Sequence, residues 1–179
     1  MKIIAIGGPH GSGKSSVAKR LAEDFGMNFI SAGVVFRSLA EERGLSVEEL
    51  SEIATTEPSI DRQIDLRTKE LGSRDNTVVD AQLAAFFTPT ETAIRICITA
   101  SKETRWKRIA KRDGKGFESA RQETETRERT ERQRFLDLYS IDVNDLSQYD
   151  VILNTDRLNE EQTFDLCKSI VEHALGEFA

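Results

Sequence analysis

The sequence has few of the features that mark membrane, disulfide-rich or fibrous proteins. Among its 179 residues are only 2 cysteines and 3 prolines, and aromatic residues make up 7%. No apolar run approaches the roughly 18–20 residues that cross a bilayer, and the run from Ile3 to Ile6 is too short for the core of a signal peptide. Cys97 and Cys167 lie far apart and outside any metal-ligand spacing, so we expect two buried free thiols. These absences favour a globular protein of the cytoplasm that has no membrane partner.

A global excess of positive charge is also absent. The formal net charge is −6, which gives no basic footprint for nucleic acid. The charge is uneven, because the segment from Lys102 to Arg134 contains 12 basic and 7 acidic side chains. That local charge of +5 leaves −11 for the rest of the chain, so only this segment is suited to meet a polyanion.

Short apolar runs alternate with helical periodicity along the chain. Strands are predicted at residues 2–6, 28–30, 77–80, 93–99 and 151–153. Helices are predicted from Val17 to Phe25, from Val34 to Arg43, from a start at the capping-box pair Ser46 and Glu49, from Pro58 to near Gly72, and from the residue after Asn159 to a stop before Gly176. This alternation predicts one α/β domain with a parallel sheet.

One further predicted helix has a different pattern. Residues 118–137 are polar nearly all round, and acid–base pairs four residues apart occur at Glu123/Arg127, Glu125/Arg129 and Glu128/Arg132. A helix that lacks an apolar face has nothing to bury against a sheet. We therefore expect this helix to form a solvated lobe that leaves the sheet.

The segment between the first strand and the first helix carries the clearest motif. It matches G-x-x-x-x-G-K-[ST] in the strand–loop–helix context that the motif requires, and its glycines let backbone N–H groups wrap round a phosphate. Lys14 is expected to reach the β- and γ-phosphates, and Ser15 to offer its hydroxyl to Mg²⁺. We expect a nucleoside triphosphate to bind this P-loop, at Gly8, Pro9, His10, Gly11, Ser12, Gly13, Lys14, Ser15 and Ser16.

Two polar residues near the P-loop each have two interpretations. His10 suggests a proton carrier, but phosphoryl transfer depends mostly on positioning and charge stabilisation, so we assign it no proton transfer. Asp80 ends a predicted strand, where it either orients Mg²⁺-bound water together with Ser15 or only begins a turn.

The ordered motifs narrow the class of P-loop protein. Asn154-Thr155-Asp156 lacks the N-K-x-D pattern of guanine-specific switches, which argues against a GTPase. Nearly end to end, the sequence resembles the archaeal-type cytidylate kinases of the nucleoside monophosphate kinase family. Beside the P-loop, the segments that carry this resemblance are Ser31 to Arg37, Ser59 to Asp65, Arg127 to Phe135, Tyr139 to Leu146, and Tyr149 to Thr155.

The resemblance implies a fold, an activity and its ligands. It implies a three-layer P-loop NTPase fold with a five-stranded parallel sheet in one domain over residues 1–179. A monophosphate-binding region is expected at about 31–73 and a lid at about 112–135. The implied reaction transfers the γ-phosphoryl group of ATP, the co-substrate, to CMP or dCMP with the help of Mg²⁺. We expect a monomer that binds these nucleotides and no nucleic acid.

The resemblance also assigns roles to arginines on the acceptor side. Arg37 opens a helix near the expected acceptor site, where a guanidinium can hold a phosphate with two hydrogen bonds. Arg127, Glu131 and Arg134 share one helix face, since they lie at i, i+4 and i+7. The family pattern implies that the two arginines meet phosphates and that Glu131 accepts from the cytosine amino group. The plainer interpretation of this spacing is a salt-bridged surface helix.

On the donor side, the family pattern assigns Arg108 and Arg112 to adenine and the transferring phosphates. Residues 113–116 are then expected to act as the hinge of the lid. The plainer interpretation is that both arginines are ordinary cations at a helix end. Together with Lys14 and Arg127, Arg112 completes the set that we expect to stabilise the reacting phosphates.

Two positions depart from the family pattern. Many relatives continue the strand that ends at Asp80 with a Gly-Arg pair, whereas this chain has Ala81 and the uncharged Gln82 at the substrate position. Another arginine, such as Arg74, would have to supply the missing charge. Val34 stands where relatives often have an acidic residue, which affects the expected selectivity for base and sugar.

Two other functions stay open at this point. One is a P-loop kinase for another nucleoside monophosphate or small acceptor, which Gln82 and Val34 favour. The other is a nucleotide-binding regulator that has lost turnover and uses its basic helix on RNA, and only the local charge of +5 supports it.

Overall fold

The computed structural model describes residues 2–89 and 91–177 and has a five-stranded parallel sheet at its centre. The strands are β1 (Ile3–Gly7), β2 (Asn28–Ser31), β3 (Thr77–Asp80), β4 (Ala93–Thr99) and β5 (Val151–Asn154). They lie in the order β2-β3-β1-β4-β5, and each neighbouring pair is parallel. The predicted α/β class, the five-stranded sheet and the strand positions are confirmed.

A helix follows each strand. The helices are α1 (Lys14–Asp24), α2 (Ala32–Glu42), α3 (Val47–Thr56), α4 (Pro58–Gly72), α5 (Ala84–Phe87), α6 (Lys102–Asp113), α7 (Phe117–Tyr139) and α8 (Glu160–Glu177), with a 3-10 turn at Leu146–Gln148. The predicted capping box is present, because Ser46 Oγ accepts from the Glu49 N–H at 3.1 Å and Glu49 accepts from the Ser46 N–H at 2.7 Å.

The two faces of the sheet are covered by different helices. Ile4 and Ile6 of β1 point to the face on which α1 and α8 pack, whereas Ile3 and Ala5 point to the face that α5 covers. All four side chains are 0% exposed. A central parallel strand that is buried on both faces requires an unbroken apolar run, which explains the start of the sequence. Helix, sheet and helix form the three layers.

A second cluster of apolar side chains lies among α2, α3 and α4, beside the edge strand β2, whose Ile30 packs against it. Its buried members are Val35, Leu39, Ala40, Leu50, Ile60 and Ile64. These helices belong to the segment expected to bind the monophosphate. Because the cluster has its own buried residues, the three helices pack on each other and form a stable wall beside the P-loop.

The polar helix α7 lies closer to the rest of the protein than its pattern predicts. It buries Ala120, Thr124 and Phe135, and it packs along α6. The three predicted pairs four residues apart are wrong. Glu123 pairs with Lys115 of the preceding turn, Glu125 lies 3.9 Å from Arg121, and Glu128 pairs with Arg105 of α6. Other neighbours compete for the same side chains, and an exposed pair within a helix is too weak to prevent this.

The end of α8 also differs from the prediction. The helix includes Gly176, whereas a stop before that glycine was expected. Glycine in a helix costs only about 1 kcal/mol relative to alanine. The buried face formed by Phe164, Cys167 and Val171 holds the helix on the sheet, which outweighs such a local preference.

Two expectations about the chain's chemistry concern its cysteines and its apolar segments. Cys97 and Cys167 are buried free thiols, as predicted. Burial raises the pKa of Cys97 to about 11 and that of Cys167 to about 12, so both keep their protons at neutral pH. None of the described helices combines the length and the apolar character needed to cross a membrane.

The α2–α4 cluster can be tested with a pair of leucines. Leu50 of α3 is 0% exposed, whereas Leu66 of α4 is 50% exposed. We expect Leu50→Ala to lower the free energy of unfolding by about 2–5 kcal/mol, because it leaves a cavity, and Leu66→Ala to cost less than about 1 kcal/mol. Urea unfolding of both variants measures the difference. Equal losses would show that α3 is not packed in a core.

Candidate active site

The turn from β1 into α1 forms an anion site from backbone groups. Gly13 precedes α1 with a φ of 99°, no side chain caps the helix, and its first turn has no acidic residue. The first N–H groups of α1 are therefore available to a ligand, and the helix dipole adds partial positive charge there.

Gly8 fixes the P-loop against the sheet. Its φ is 130°, and a Cβ atom at this position would lie 2.0 Å from the carbonyl oxygen of Ile98 in β4. Only glycine permits both the dihedral angle and this close approach. The loop consequently passes over the end of β4 before it enters α1.

Two clefts meet at the Lys14–Ser15 end of the P-loop. The first, which we call the α4 cleft, has a volume of about 630 Å³ and is lined by residues of α2, α4, the β3–α5 turn and α7. The second, the α8 cleft, has a volume of about 520 Å³ and lies between the P-loop, α6 and the start of α8. His10, Lys14 and Ser15 line both. Each volume suits a small-molecule ligand.

Two cations of the α4 cleft are poised for a negative ligand. Within the described part of the chain, neither Lys14 nor Arg37 forms an ion pair with a carboxylate. Burial lowers the pKa of Lys14 from its ordinary value, while the charges of Asp80 and then Glu131 oppose that shift. A partly desolvated ammonium without an ion pair gains free energy when a phosphate binds beside it.

Asp80 is the residue predicted to accept from a magnesium-bound water. It ends β3 opposite Ile6 of β1, is 7% exposed, and its Oδ1 atom is buried without a hydrogen-bond partner. Ser15 lines the same cleft. Over residues 2–89 and 91–177, no group of three His, Cys, Asp or Glu side chains could hold a metal alone. Mg²⁺ in phosphoryl-transfer sites needs only one or two protein ligands besides water and phosphate, so Ser15 and Asp80 fit it.

Glu131 connects α7 to the P-loop. Its Oε2 atom lies 2.6 Å from His10 Nε2 and accepts from Gln82 Nε2 at 2.6 Å, and its Oε1 atom accepts from Arg127 Nε at 2.8 Å. Burial acts to raise the pKa of Glu131, but the contacts with His10 and then Arg127 lower it to about 2. Glu131 therefore stays ionised, and both of its oxygens already have partners.

Arg74 does not supply the charge that Gln82 lacks. It lies in the turn before β3 and pairs with Glu70 at 3.1 Å, whereas Gln82 follows the other end of that strand. A four-residue strand spans roughly 13 Å, which a side chain does not bridge when it is held elsewhere. The suggested replacement is wrong.

The α8 cleft contains the two arginines expected on the donor side. Arg108 donates to the Ser12 carbonyl at 3.1 Å and to the Thr155 hydroxyl and carbonyl at 2.9 and 2.8 Å, and so joins the P-loop to the turn after β5. Arg112 ends near the cleft in a pair with Asp113 at 2.6 Å and is 67% exposed. Gly114, with a φ of 63°, turns the chain from α6 towards α7. The assignments of both arginines and of the hinge stay predictions.

Sequence reasoning missed a polar group on the α4 side of the α4 cleft. Asp61, Asp65 and Thr68 of α4 line the cleft, and Arg134 of α7 pairs with both carboxylates. Tyr139 donates to Asp65 Oδ2 at 3.2 Å. Arg134, expected at phosphates, thus faces two acids. The spacing i, i+4, i+7, which grouped residues of α7, recurs at 61, 65 and 68 and could have revealed this face.

The environment of Asp65 disfavours its charge. Burial raises its pKa to about 6, although the charge of Arg134 and the hydrogen bond from Tyr139 act in the opposite direction. A carboxyl with a raised pKa in the folded state binds its proton more tightly there than in the unfolded chain. Its ionisation therefore destabilises the fold, and the loss develops as the pH rises from about 4 to above 6.

Comparisons with known proteins agree with this architecture. Residues 3–157 match the model of the cytidylate kinase-like family. A cytidylate kinase of Staphylothermus marinus is 44% identical over 99% of this chain and 100% of its own length, and one of Methanopyrus kandleri is 38% identical over 97% and 94%. The solved shikimate kinase of Acinetobacter baumannii, in complex with shikimate, has a TM-score of 0.62 at 17% identity and covers 99% of this chain and 94% of its own. That likeness concerns the fold alone.

The cost of ionising Asp65 predicts how a neutral replacement behaves. Compared with the original protein, the Asp65→Asn variant should become more stable as the pH rises. We expect the difference in free energy of unfolding between the two to increase by about 2–3 kcal/mol from about pH 4 to pH 7. Urea unfolding at both pH values measures this change. Asp137→Asn, the same substitution at an exposed position of α7, sets the baseline. A stability difference that does not change with pH would contradict the assignment.

Proposed function

The chain belongs to the cytidylate kinase-like family, and we propose that it transfers the γ-phosphoryl group of ATP to CMP or dCMP. The observation that carries this proposal is the meeting of two clefts at Lys14 and Ser15. Direct transfer between two nucleotides requires both to bind with their phosphates at one point. The α8 cleft takes ATP in this proposal, and the α4 cleft takes the monophosphate.

The P-loop backbone and Lys14 hold the phosphates of ATP. The N–H groups at the start of α1 face the β-phosphate, and Lys14 meets the β- and γ-phosphates. Arg108 and Arg112 line the cleft that receives the adenosine end. Mg²⁺, held by Ser15 directly and by Asp80 through water, would neutralise charge on the β- and γ-oxygens.

Arg37 and Arg127 bind the phosphate of the acceptor. Both line the α4 cleft, and Arg37 has no carboxylate partner among the described residues. Arg127 is 63% exposed, and its pair with Glu131 leaves guanidinium N–H groups free. A phosphate oxygen of the acceptor attacks the γ-phosphorus directly, the bond from that phosphorus to the β–γ bridging oxygen breaks, and ADP leaves, so no side-chain nucleophile takes part. The arginines and Lys14 offset the negative charge that otherwise keeps two phosphate groups apart.

The α6–α7 hairpin excludes water from the reaction. Arg105 of α6 donates to the His10 carbonyl at 2.8 Å, which holds the hairpin against the P-loop, and residues 114–116 connect its two helices. Closure of this hairpin over both ligands brings Arg112 and Arg127 to the phosphates and limits hydrolysis of ATP.

One observation favours a second candidate, a kinase for a different small acceptor. Gln82 follows β3, carries no charge, and donates to Glu131. The α4 cleft therefore lacks the arginine that the family pattern places after β3. An acceptor that carries less negative charge than a nucleoside monophosphate would depend less on this arginine for binding.

A panel of acceptors separates these functions. We expect CDP and dCDP to form when the protein is incubated with ATP, Mg²⁺ and CMP or dCMP, because Lys14, Arg37 and Arg127 line the α4 cleft and can bind the phosphate of a monophosphate. AMP, GMP, UMP and shikimate serve as competing acceptors, and product formation is followed by chromatography. Transfer to another acceptor with none to CMP would reject the cytidine assignment. Salt-sensitive RNA binding without any transfer would support the regulator instead.

Lys14 provides the second test of the proposed function. Lys14→Met should lower kcat on the order of 10²–10³-fold, because one preorganised charge at the transferring phosphoryl group is lost. Lys107→Met is the matched control, since Lys107 is exposed, pairs with Glu103 and lines neither cleft. Circular dichroism should show both variants folded. If kcat of Lys14→Met were unchanged, a group other than Lys14 would have to stabilise the phosphates of ATP.

A further inference from the structure

Two buried polar atoms on the α4 side of the α4 cleft have no hydrogen-bond partner. Thr68 is 3% exposed, yet its hydroxyl has none, and the same holds for the Nε atom of Arg134. Both residues line the cleft. Buried polar atoms are nearly always paired, and a bare one costs about as much as a lost hydrogen bond, so each of these calls for a physical explanation.

The hydroxyl of Thr68 does not use the partner that helical threonines usually find. Thr124 and Thr163 are similarly buried, and each donates to the carbonyl oxygen four residues earlier, at 2.6 and 2.7 Å. Thr68 has the same choice within α4 and makes no such bond. Its hydroxyl is therefore free for a molecule in the cleft.

Asp65 lies one turn before Thr68 and is held in a fixed orientation. Its Oδ2 atom accepts from Tyr139 at 3.2 Å and lies 3.8 Å from Arg134 Nη2. The Tyr139 ring is itself held edge-on against Phe87, with the ring centroids 5.7 Å apart. Both of these contacts of Asp65 use Oδ2, so neither occupies Oδ1. An oriented carboxylate with a free oxygen is a preorganised hydrogen-bond acceptor.

We propose that Asp65, Thr68 and Arg134 form the subsite that reads the base of the acceptor, and that they select a pyrimidine with an exocyclic amino group over one with a carbonyl at that position. This inference rests on the proposed function. The amino group of cytosine donates to Asp65 Oδ1, and the ring nitrogen beside it accepts from Thr68 or from Arg134 Nε. Phe36 and Phe87, which line the same cleft, supply apolar surface for the ring.

The same groups reject uracil. Uracil presents a carbonyl oxygen where cytosine has its amino group, and it presents an N–H where cytosine has a bare ring nitrogen. The carbonyl would face the Asp65 carboxylate, and two acceptors cannot share a hydrogen bond. The N–H would face the Nε–H of Arg134, which only donates. A site whose buried polar groups are left unpaired by the wrong ligand discriminates strongly.

Asp65 is better suited to this contact than Glu131, the residue that the sequence suggested. Both oxygens of Glu131 are occupied, Oε2 by His10 and Gln82 and Oε1 by Arg127. A base that took Oε2 would displace a contact that joins α7 to the P-loop, and a base that approached Oε1 would share that atom with Arg127. Asp65 loses no partner when a ligand approaches its Oδ1.

The experiment compares CMP and UMP in two variants and one control. The values of kcat/KM at saturating ATP, and the dissociation constants of both monophosphates by calorimetry, are measured for the original protein, Asp65→Asn, Thr68→Val and Asp137→Asn. Asparagine can turn either its oxygen or its amino group towards the base, so it accepts uracil as well as cytosine. The ratio of kcat/KM for CMP to kcat/KM for UMP should therefore fall at least about tenfold in Asp65→Asn. Thr68→Val keeps the shape and removes the unpaired hydroxyl, and it should weaken CMP binding. Asp137→Asn should change neither value.

The ratio of CMP to UMP distinguishes base reading from a structural role. If Asp65→Asn reduces both acceptors by the same factor, or leaves the ratio unchanged, the inference is overturned. If Thr68→Val is more stable and binds CMP as before, the hydroxyl does not contact the base and the subsite loses that member. Should the original protein bind CMP without transferring phosphate, the proposed function fails while the binding ratios still decide the inference. Equal binding of CMP and UMP by the original protein would reject the base subsite outright.

Discussion

The parallel pairing of β1 between β3 and β4 is the constraint on which the site depends. It places the carboxyl ends of the three strands at one edge, so Asp80 lies beside the point where the chain leaves β1. To enter α1 from there, the chain must pass over β4, and the contact between Gly8 and the Ile98 carbonyl leaves no room for a side chain. The loop therefore turns its backbone towards a ligand. Lys14 and Ser15 follow on the next helix, and they meet Asp80 because the strands end together.

Charged groups, together with the buried Ala120 and Phe135, set the position of α7. Arg105, 4% exposed, pairs with Glu128 and also donates to the His10 carbonyl at 2.8 Å, which ties α6, α7 and the P-loop together. Buried ion pairs add little net stability, although the loss of one partner is costly because it strands a charge. Such contacts specify where the helix lies without holding it strongly. Phosphates compete with carboxylates for the same arginines, so a helix placed in this way suits a site that opens and closes round anions.

The parts of the structure that depend on short stretches of sequence were predictable. The strands, the P-loop and the Ser46–Glu49 capping box each follow from neighbouring residues, and the structure has all of them. The partners of the charged residues on α7 were not predictable. The periodicity of a helix shows which of its side chains share a face, but it does not show which other part of the protein packs against that face. Arg134 illustrates this, since its two carboxylate partners are about seventy residues away in α4. Gln82 is a second example, because it donates to Glu131, a residue that the sequence analysis assigned to the cytosine base.

The unpaired polar atoms show where the fold gives up stability. Of the six such buried side-chain atoms among the described residues, four belong to residues that line the two clefts: Ser12, Thr68, Asp80 and Arg134. Each unpaired group costs about 1–3 kcal/mol of stability wherever in the protein it is buried. That cost alone does not explain why most of these atoms lie at the clefts. Their concentration at the clefts has a simple physical reason. A ligand can supply the missing partners there, and the free energy that the empty protein lacks is then recovered as affinity and selectivity.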